Sequence, residues 1–560
     1  MTSGRGPRVG WLLFPVVAVL FWVVLYPQLF VLGDSFRVEG VITLDGYRDF
    51  FTSRAELEAL WGSVWISLGS VVLSALIGIP LGFVFHRFDF PGRSLFGALA
   101  SLPVLLPPLV GVIAFLFLYG ESGMFTRVVQ LLFGLDDPPW RLVGGWAILF
   151  VHAYSMYVYF YLFTTAGLAR LDPAAGEAAE SLGAGRLRVL FRVTLPMLAP
   201  SLGAASILVF MTSMASFSAP YIFGGGFRVL TTQIFTSKVN GELTMAMVET
   251  VVLASASLLF LWFLRRFERG REFTAVGKGI GAVRREITAP WARILVAGAG
   301  VGGVFLLLLP HLTLILVSLV PEGSWTTQIL PPRYSFENYG ALFANVSLWT
   351  PVLNSLQMAA LATGGNVLFC FVLAYLLVRG RFRGKGGLNF LMMLPWALPG
   401  TVIAMALATT FSASQPWFGR FILVGTFWIL PLAYFVRNIP LVAQAATASF
   451  RQYDFSLEEA AHSLGASWVL TMRRIAVPLV LPGLAAGGLL AFVAALGEFV
   501  SSILLYSYRS RPISVEILSQ LRAFDFGAAA ALGVVLALLM GIVFAVGGRW
   551  VRGGVFGPRG

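Results

Sequence analysis

Charge and cysteine are the two things this sequence has least of. Only 12% of its 560 residues are Asp, Glu, Lys or Arg, against about 25% in soluble domains. With 58% of the chain hydrophobic, that shortfall excludes a soluble globular protein and fits one that crosses a membrane many times. The length would otherwise suggest roughly three to four soluble domains. The single cysteine, Cys370, lies in an apolar run. It excludes an intramolecular disulfide and any cysteine-based metal motif, and it reads as a small packing residue. Catalytic signatures are missing as well. A phosphate-cradling loop reads G-x-x-x-x-G-K-[ST]. Here Gly277-Lys278 is followed by Gly279, with Glu272 where the first glycine belongs. Gly384-Lys385 is followed by Gly386, with Arg379 in that place. No H-E-x-x-H is present, so the chain reads as neither a P-loop ATPase nor a zinc-dependent membrane enzyme.

What is present is a series of long apolar runs. A spanning helix needs about 20 mostly apolar residues. Candidate spans lie near 11–33, 61–85, 97–119, 142–164, 197–220, 243–264, 294–320, 352–378, 388–411, 419–441, 479–505 and 527–547. The first follows Arg5 and Arg8 and exceeds the apolar region of a cleaved signal peptide, so it reads as a retained span. The net charge of +13 could suit nucleic acid. The basic residues, however, sit in short segments between the runs, as they do where Lys and Arg fix topology. Arg87 and Arg93, then Arg379, Arg381, Arg383 and Lys385, and the dense stretch from Arg265 to Arg293 fall on one side. Opposite them a first loop carries Asp34, Glu39, Asp45, Asp49, Glu56 and Glu58. Arg509, Arg511 and Arg522 run against the trend, but the bias as a whole predicts both termini in the cytoplasm.

The sequence also repeats itself. EAAESLGAGRLRVLFRVTLP (177–196) returns without a gap as EAAHSLGASWVLTMRRIAVP (459–478), an offset of 282 (459 − 177). Upstream, Pro103 and Pro107 return as Pro395 and Pro399, and TLDGYRDFF resembles YSFENYGALF with Tyr47 opposite Tyr339, both at an offset of 292 (395 − 103). The predicted architecture is an all-α polytopic membrane protein of about 12 transmembrane helices, built as two parallel six-span repeats. Its parts are a first half over 1–264, a basic linker over 265–293 and a second half over 294–560.

The repeated segment falls between spans 4 and 5 of each half. Asp172-Pro173 suits a helix start. Ala178 and Ala179 leave a surface that another protein can approach closely, and Gly183 permits a sharp turn. A basic stretch with Arg186, Arg188 and Arg192 follows, and Pro196 marks the entry to span 5. The second copy repeats this with Asp454, Glu459, Ala460, Ala461, Gly465, Arg473, Arg474 and Pro478.

Glu-Ala-Ala, three residues, Gly, nine residues, Ile, any residue, then Leu-Pro resembles the signature loop of binding-protein-dependent ABC importer permeases. The first copy has Val193 for Ile, and the second has Val477 for Leu. The resemblance covers essentially the whole chain through its repeat. It implies that each loop is a coupling helix docking on a separate ATPase subunit, with Glu177 and Glu459 making polar contacts and Gly183 and Gly465 making the turn. The implied partners are an ATP-binding cassette ATPase dimer, an extracytoplasmic solute-binding protein and the lipid membrane. No nucleic acid and no cofactor is implied. The implied setting is the cytoplasmic membrane of a bacterium or archaeon, and the implied mechanism is alternating access between inward-facing and outward-facing arrangements.

Fusion of both halves, with LPVLLPPLVGVIAF (102–115), resembles the ferric-iron and thiamine import permeases. The last outer loop, 496–518, is more similar to the iron type. Ferric iron is the leading expectation, with thiamine, a phosphonate or a polyamine as alternatives. Polar residues inside spans are costly and mark pathways. Glu498, near the outer end of span 11, its repeat partner Ser216, and His152 in span 4 are the candidates. Span 4 also carries Tyr154, Tyr157, Tyr159 and Tyr161, which read as packing or interfacial aromatics. An ion-coupled secondary transporter is the rival reading; it has no use for a duplicated Glu-Ala-Ala loop, and no intramembrane carboxylate pair stands out.

Overall fold

Two helices of 34 residues, Arg54–Arg87 and Val346–Arg379, begin 292 residues apart (346 − 54). Each starts at a side-chain cap in the same register. Ser53 Oγ accepts the Glu56 N–H, and Asn345 Oδ1 accepts the Ser347 N–H at 3.0 Å. Each is preceded by an eight-residue helix, Asp45–Thr52 or Glu337–Ala344, formed by the two segments that resemble one another in sequence. Further on, Gly92 and Gly384 adopt φ of +81° and +103°, a region that glycine enters without steric cost, and each opens the next helix. The repeat is therefore written in capping and turn residues as well as in apolar runs.

The computed structural model describes residues 10–38, 40–172, 174–268, 285–286, 289–325, 328–414 and 421–552. Arg5, Arg8, Pro173, Arg559 and, within the basic linker, 269–284 and 287–288 lie outside them. Among the described residues, eleven helices are long and apolar enough to cross a membrane. A twelfth candidate is the pair Lys385–Ala397 and Gly400–Thr410, bent by 105°. Strand structure in the described residues is confined to two short pairings, Arg37–Val38 with Val41–Ile42 and Phe88–Asp89 with Arg285–Glu286. The chain is an all-α polytopic membrane protein.

Four expected spans differ from single straight helices. The stretch expected at 97–119 is interrupted: Arg93–Leu99, a short 3-10 turn at Leu102–Leu105, then Pro108–Tyr119. The stretch expected at 388–411 breaks at Leu398–Pro399. The cause is the same in both copies. Proline has no N–H and drives the preceding residue out of the helical region, and Leu106 and Leu398 have ψ of 131° and 136°. The spans expected at 197–220 and 479–505 end early, as Leu195–Met214 and Val477–Leu496, and a six-residue helix follows each, Ser218–Phe223 and Val500–Leu505.

By contacts the chain divides into two compact units, whose limits are not those of the sequence repeat. One gathers Met1–Tyr47, Glu242–Val251 and Tyr339–Gly560. Within it, Trp22 of the N-terminal span meets Phe411 edge-on, with ring centres 5.6 Å apart. Asn366 donates to the Phe435 carbonyl at 3.1 Å, and buried Cys370 packs against Ile439. The other unit gathers Arg48–Gly241 and Val252–Asn338. There Gly78 and Gly82 press against Tyr157, Phe160 and Thr164 so closely that a Cβ would collide with backbone or side chain. Helix Pro290–Ser318 seats Val304 beside Phe85, Phe90 and Tyr157.

Candidate functional site

The duplicated segment folds the same way twice. In the first copy Asp172 Oδ1 accepts the Ala174 N–H at 2.9 Å, opening helix Ala174–Ser181, which carries Glu177, Ala178 and Ala179. Gly183 turns the chain at φ +83°, and helix Arg186–Val189 follows. In the second, Asp454 Oδ1 accepts the Ser456 N–H at 2.9 Å, and helix Ser456–Ser463 carries Glu459, Ala460 and Ala461. Gly465 turns at φ +84° before helix Trp468–Thr471. Two backbone hydrogen bonds from the exchange of direction, Ala184 N–H to Ala179 O and Ala466 N–H to Ala461 O, are both 3.0 Å. Hydrogen bonds from the Ser456 N–H and hydroxyl hold the exposed Asp454 carboxyl below its ordinary value.

Each loop then runs into its span through a wide π turn, Leu190–Thr194 or Met472–Ala476. Pro196 and Pro478 sit in the first turn of the helices that follow. A proline cannot donate to the preceding turn and crowds its carbonyl, and the wider turn relieves that crowding.

The two copies differ in electrostatics. Among the described residues the exposed Glu177 side chain has no ion-pair partner. Glu459 lies 3.3 Å from Arg379, whose guanidinium also covers the Phe455 ring at 4.8 Å. The adjacent Glu458 is buried beneath the loop and accepts from Tyr375 Oη at 3.2 Å. Burial raises its carboxyl above the ordinary value, opposed by the Tyr375 hydroxyl and by Arg379. At the apex, Leu182 and Leu464 are 88% and 90% exposed. The sequence reading passed over them; the available signal was a large apolar residue immediately before the turn glycine of a polar loop, in both copies.

The second set of expected residues meets in the interior. His152 is buried, and it lies where expected, on helix Gly145–Arg170. Its Nδ1 is 2.9 Å from Ser70 Oγ and 3.1 Å from Ser213 Oγ, and its Nε2 is 2.8 Å from Ser216 Oγ. His152 and Ser216 are thus direct partners. Glu498 lies two residues past the end of helix Val477–Leu496, in the break before Val500–Leu505. Apolar residues continue on both sides of that break, so hydropathy does not register it. Ser216 occupies the matching break in the other repeat. In each, a hydroxyl from the second α-helix beyond the break satisfies the exposed carbonyl: Thr231 Oγ1 of Leu230–Val239 donates to Ser216 O at 2.7 Å, and Ser514 Oγ of Ile513–Arg522 to Glu498 O at 3.0 Å, where Ser502 Oγ also donates at 2.6 Å. Non-helical backbone at membrane depth is tolerated only where protein covers it or it lines a cavity.

Glu498 is 9% exposed and pairs with Arg437, Nε to Oε2 at 2.8 Å, while its Oε1 accepts the Ser501 N–H at 2.9 Å. Gly400 leaves the room in which that guanidinium lies; a Cβ there would overlap it. Arg437 was missed in the sequence, although an arginine inside an apolar run is itself a signal. The tyrosines expected to be packing residues do not converge. Tyr157 and Tyr161 donate to the carbonyls of Ala100 and Gly97, and Tyr154 pairs with His311 Nδ1 at 2.9 Å. Among the described residues no cluster of His, Cys, Asp and Glu could hold a metal ion.

Residues 74–272 and 366–553, together more than half the chain and once in each repeat, match the family described as binding-protein-dependent transport system inner membrane component. The chain is 28% identical over 535 residues to the probable ABC transporter permease protein y4fN of Sinorhizobium fredii, which spans 94% of both chains. It is 27% identical over 542 residues to the ferric transport system permease protein FbpB of Actinobacillus pleuropneumoniae, covering 94% of this chain and 76% of that one. Over 241 residues it is 30% identical to the sulfate transport system permease protein CysT of Salmonella typhimurium, covering 41% of this chain and 86% of that one. The chain belongs to the binding-protein-dependent transport system inner membrane components, as an ABC importer permease with both family units fused in one polypeptide.

Proposed function

We propose that this permease imports ferric iron across the cytoplasmic membrane of a bacterium, receiving it from an extracytoplasmic binding protein and drawing on ATP hydrolysis by separate cassette subunits. The observation that carries the coupling part is the pair of matching loops, each with a glutamate-bearing helix, a left-handed glycine and a bare leucine at its apex. In this reading Glu177, Ala178, Ala179, Gly183 and Pro196, with Glu459, Ala460, Ala461, Gly465 and Pro478, form the surfaces on which the ATPase dimer docks. Leu182 and Leu464 supply apolar anchors, and the glutamates supply a charge for a basic residue of the partner. Closure of the ATPase pair then moves both loops, and differential affinity for the two arrangements drives the change.

The iron assignment draws on relatives called ferric transport permeases, which align along most of this chain. Glu498, Ser216 and His152 line the route in this reading, because a broken span places backbone and polar side chains where a solute passes. Sulfate is a second reading, favoured by the sulfate permeases that align with part of the chain. The two separate in one assay. The chain is reconstituted with its ATPase and binding protein, and hydrolysis is followed with ferric iron, sulfate or thiamine on the binding protein. Stimulation by ferric iron alone supports the proposal. Stimulation by sulfate alone, or transport on an ion gradient with no ATPase, removes it.

A further inference from the structure

A cavity of about 400 Å³ opens where three helices end, beside the second duplicated loop. Its floor is the apolar last turn of Val346–Arg379. Four polar side chains face it: Lys385 and Asn389 from helix Lys385–Ala397, and Thr447 and Arg451 from helix Ile429–Gln452. None of the four has a partner among the described residues, and the Thr447 hydroxyl oxygen is buried. No carboxylate lines the space. Two cations facing one void without a counterion repel each other, a cost that a bound anion removes.

The start of helix Lys385–Ala397 adds to the same field. It opens on left-handed Gly384 with no side-chain cap, and Gly386 of its first turn lines the cavity, so uncapped N–H groups lie beside it, opposite the C-terminal turns of the other two helices. A guanidinium fork, an ammonium, a hydroxyl, an amide and backbone N–H groups thus come from two helices, over an apolar floor supplied by a third. Donors spread over that many directions suit the tetrahedral oxygens of a phosphate better than the planar pair of a carboxylate. The other repeat supplies an internal contrast. Arg93 and Thr165 stand where Lys385 and Thr447 do, but Gly97 and Ala169 replace Asn389 and Arg451.

We propose that this cavity is a phosphate-binding site, filled either by the head group of an anionic phospholipid or by a soluble phosphate compound. Basic pockets between spanning helices at the membrane surface take such head groups. The occupant contacts the helix turn that ends at Arg379, the residue paired with Glu459, so the site reports to one coupling loop and not the other.

The test uses the full chain in nanodiscs of phosphatidylcholine alone or with one third phosphatidylglycerol. Native mass spectrometry counts retained lipid, and thermal melting follows stability. The expected result is retention of phosphatidylglycerol with a higher Tm, both lost in Lys385→Gln/Arg451→Gln and kept in Arg381→Gln/Arg383→Gln, which do not line the cavity. Each single substitution should weaken binding about tenfold. A parallel titration of inorganic phosphate into phosphatidylcholine discs, with chloride at matched ionic strength, separates the sources. A saturable Tm rise that needs both cations assigns a soluble phosphate, and a response to phosphatidylglycerol alone assigns the head group. Wild-type protein that retains no phosphatidylglycerol and ignores phosphate overturns the proposal without reference to any variant. Equal binding by wild type and the double variant overturns it as well.

Discussion

At the scale of single residues, Glu498 and Ser216 hold equivalent places in the repeat and solve the same backbone problem with different electrostatics. Ser216 joins a neutral network with His152, Ser70 and Ser213. Glu498 needs Arg437, and removing one partner of a largely buried pair leaves the other charge unmatched. Arg437 remains 29% exposed, so the loss in Glu498→Gln should fall at the low end of such cases, about 3 kcal/mol. Gly400→Ala should displace the guanidinium and break the same pair from the other side. Thermal or denaturant unfolding of the two single variants and the double should therefore be strongly non-additive; additive losses would show that Gly400 acts apart from the pair. Glu458 carries a pH signature. Its folded carboxyl is raised above the ordinary value of 4.5 by burial. Folding thus favours the protonated form, a contribution complete below the ordinary value and lost as pH rises through the folded one. Glu458→Gln keeps an acceptor for Tyr375 without the charge. Its Tm should exceed that of wild type at about pH 8 and match it at about pH 4. A Tm difference independent of pH would remove burial of the charge as the cause.

At the scale of elements, the left-handed glycines of the loops isolate a purely conformational cost. A Cβ at Gly183 or Gly465 would meet no atom within 4 Å, so substitution by alanine is penalised only through φ, by about 1–2 kcal/mol at each turn. Either substitution should lower loop protection in hydrogen exchange while leaving the exchange of helices Arg54–Arg87 and Val346–Arg379 unchanged. Loss of protection across those helices instead would mean the turns hold more than themselves. The same elements explain what was legible beforehand. The loops were readable because each device is local: an Asp cap, a glutamate and two alanines on one helical turn, a glycine, a proline at the next helix start. The two proline breaks were marked by Pro107 and Pro399 yet hidden inside apolar runs. The breaks at Ser216 and Glu498 draw on hydroxyls arriving from Thr231 and Ser514, 15 and 16 residues later and beyond the apolar runs, although Ser502 also serves the second break from within its run. Arg437 was visible as a residue but not as a partner, since its pairing joins helix Ile429–Gln452 to the distant break that holds Glu498.

At the scale of the whole molecule, the repeat and the compact units divide the chain differently. The N-terminal span groups with residues 339–560, and helix Pro290–Ser318 groups with residues 48–241. Each unit thus draws a span from the other half of the sequence, a connection no hydropathy plot encodes. Each unit nevertheless carries one copy of the duplicated loop, 177–196 in one and 459–478 in the other. The most direct test of the loops' role in coupling is hydrolysis by the reconstituted complex, with loaded binding protein, for Glu177→Ala, Glu459→Ala and the two together. Glu177 has no ion-pair partner among the described residues, whereas Arg379 already partly neutralises Glu459. Glu177→Ala should therefore reduce stimulation more than Glu459→Ala, and the double variant should abolish it while the ATPase subunits still hydrolyse ATP at their basal rate. Full stimulation in the double variant would contradict the account.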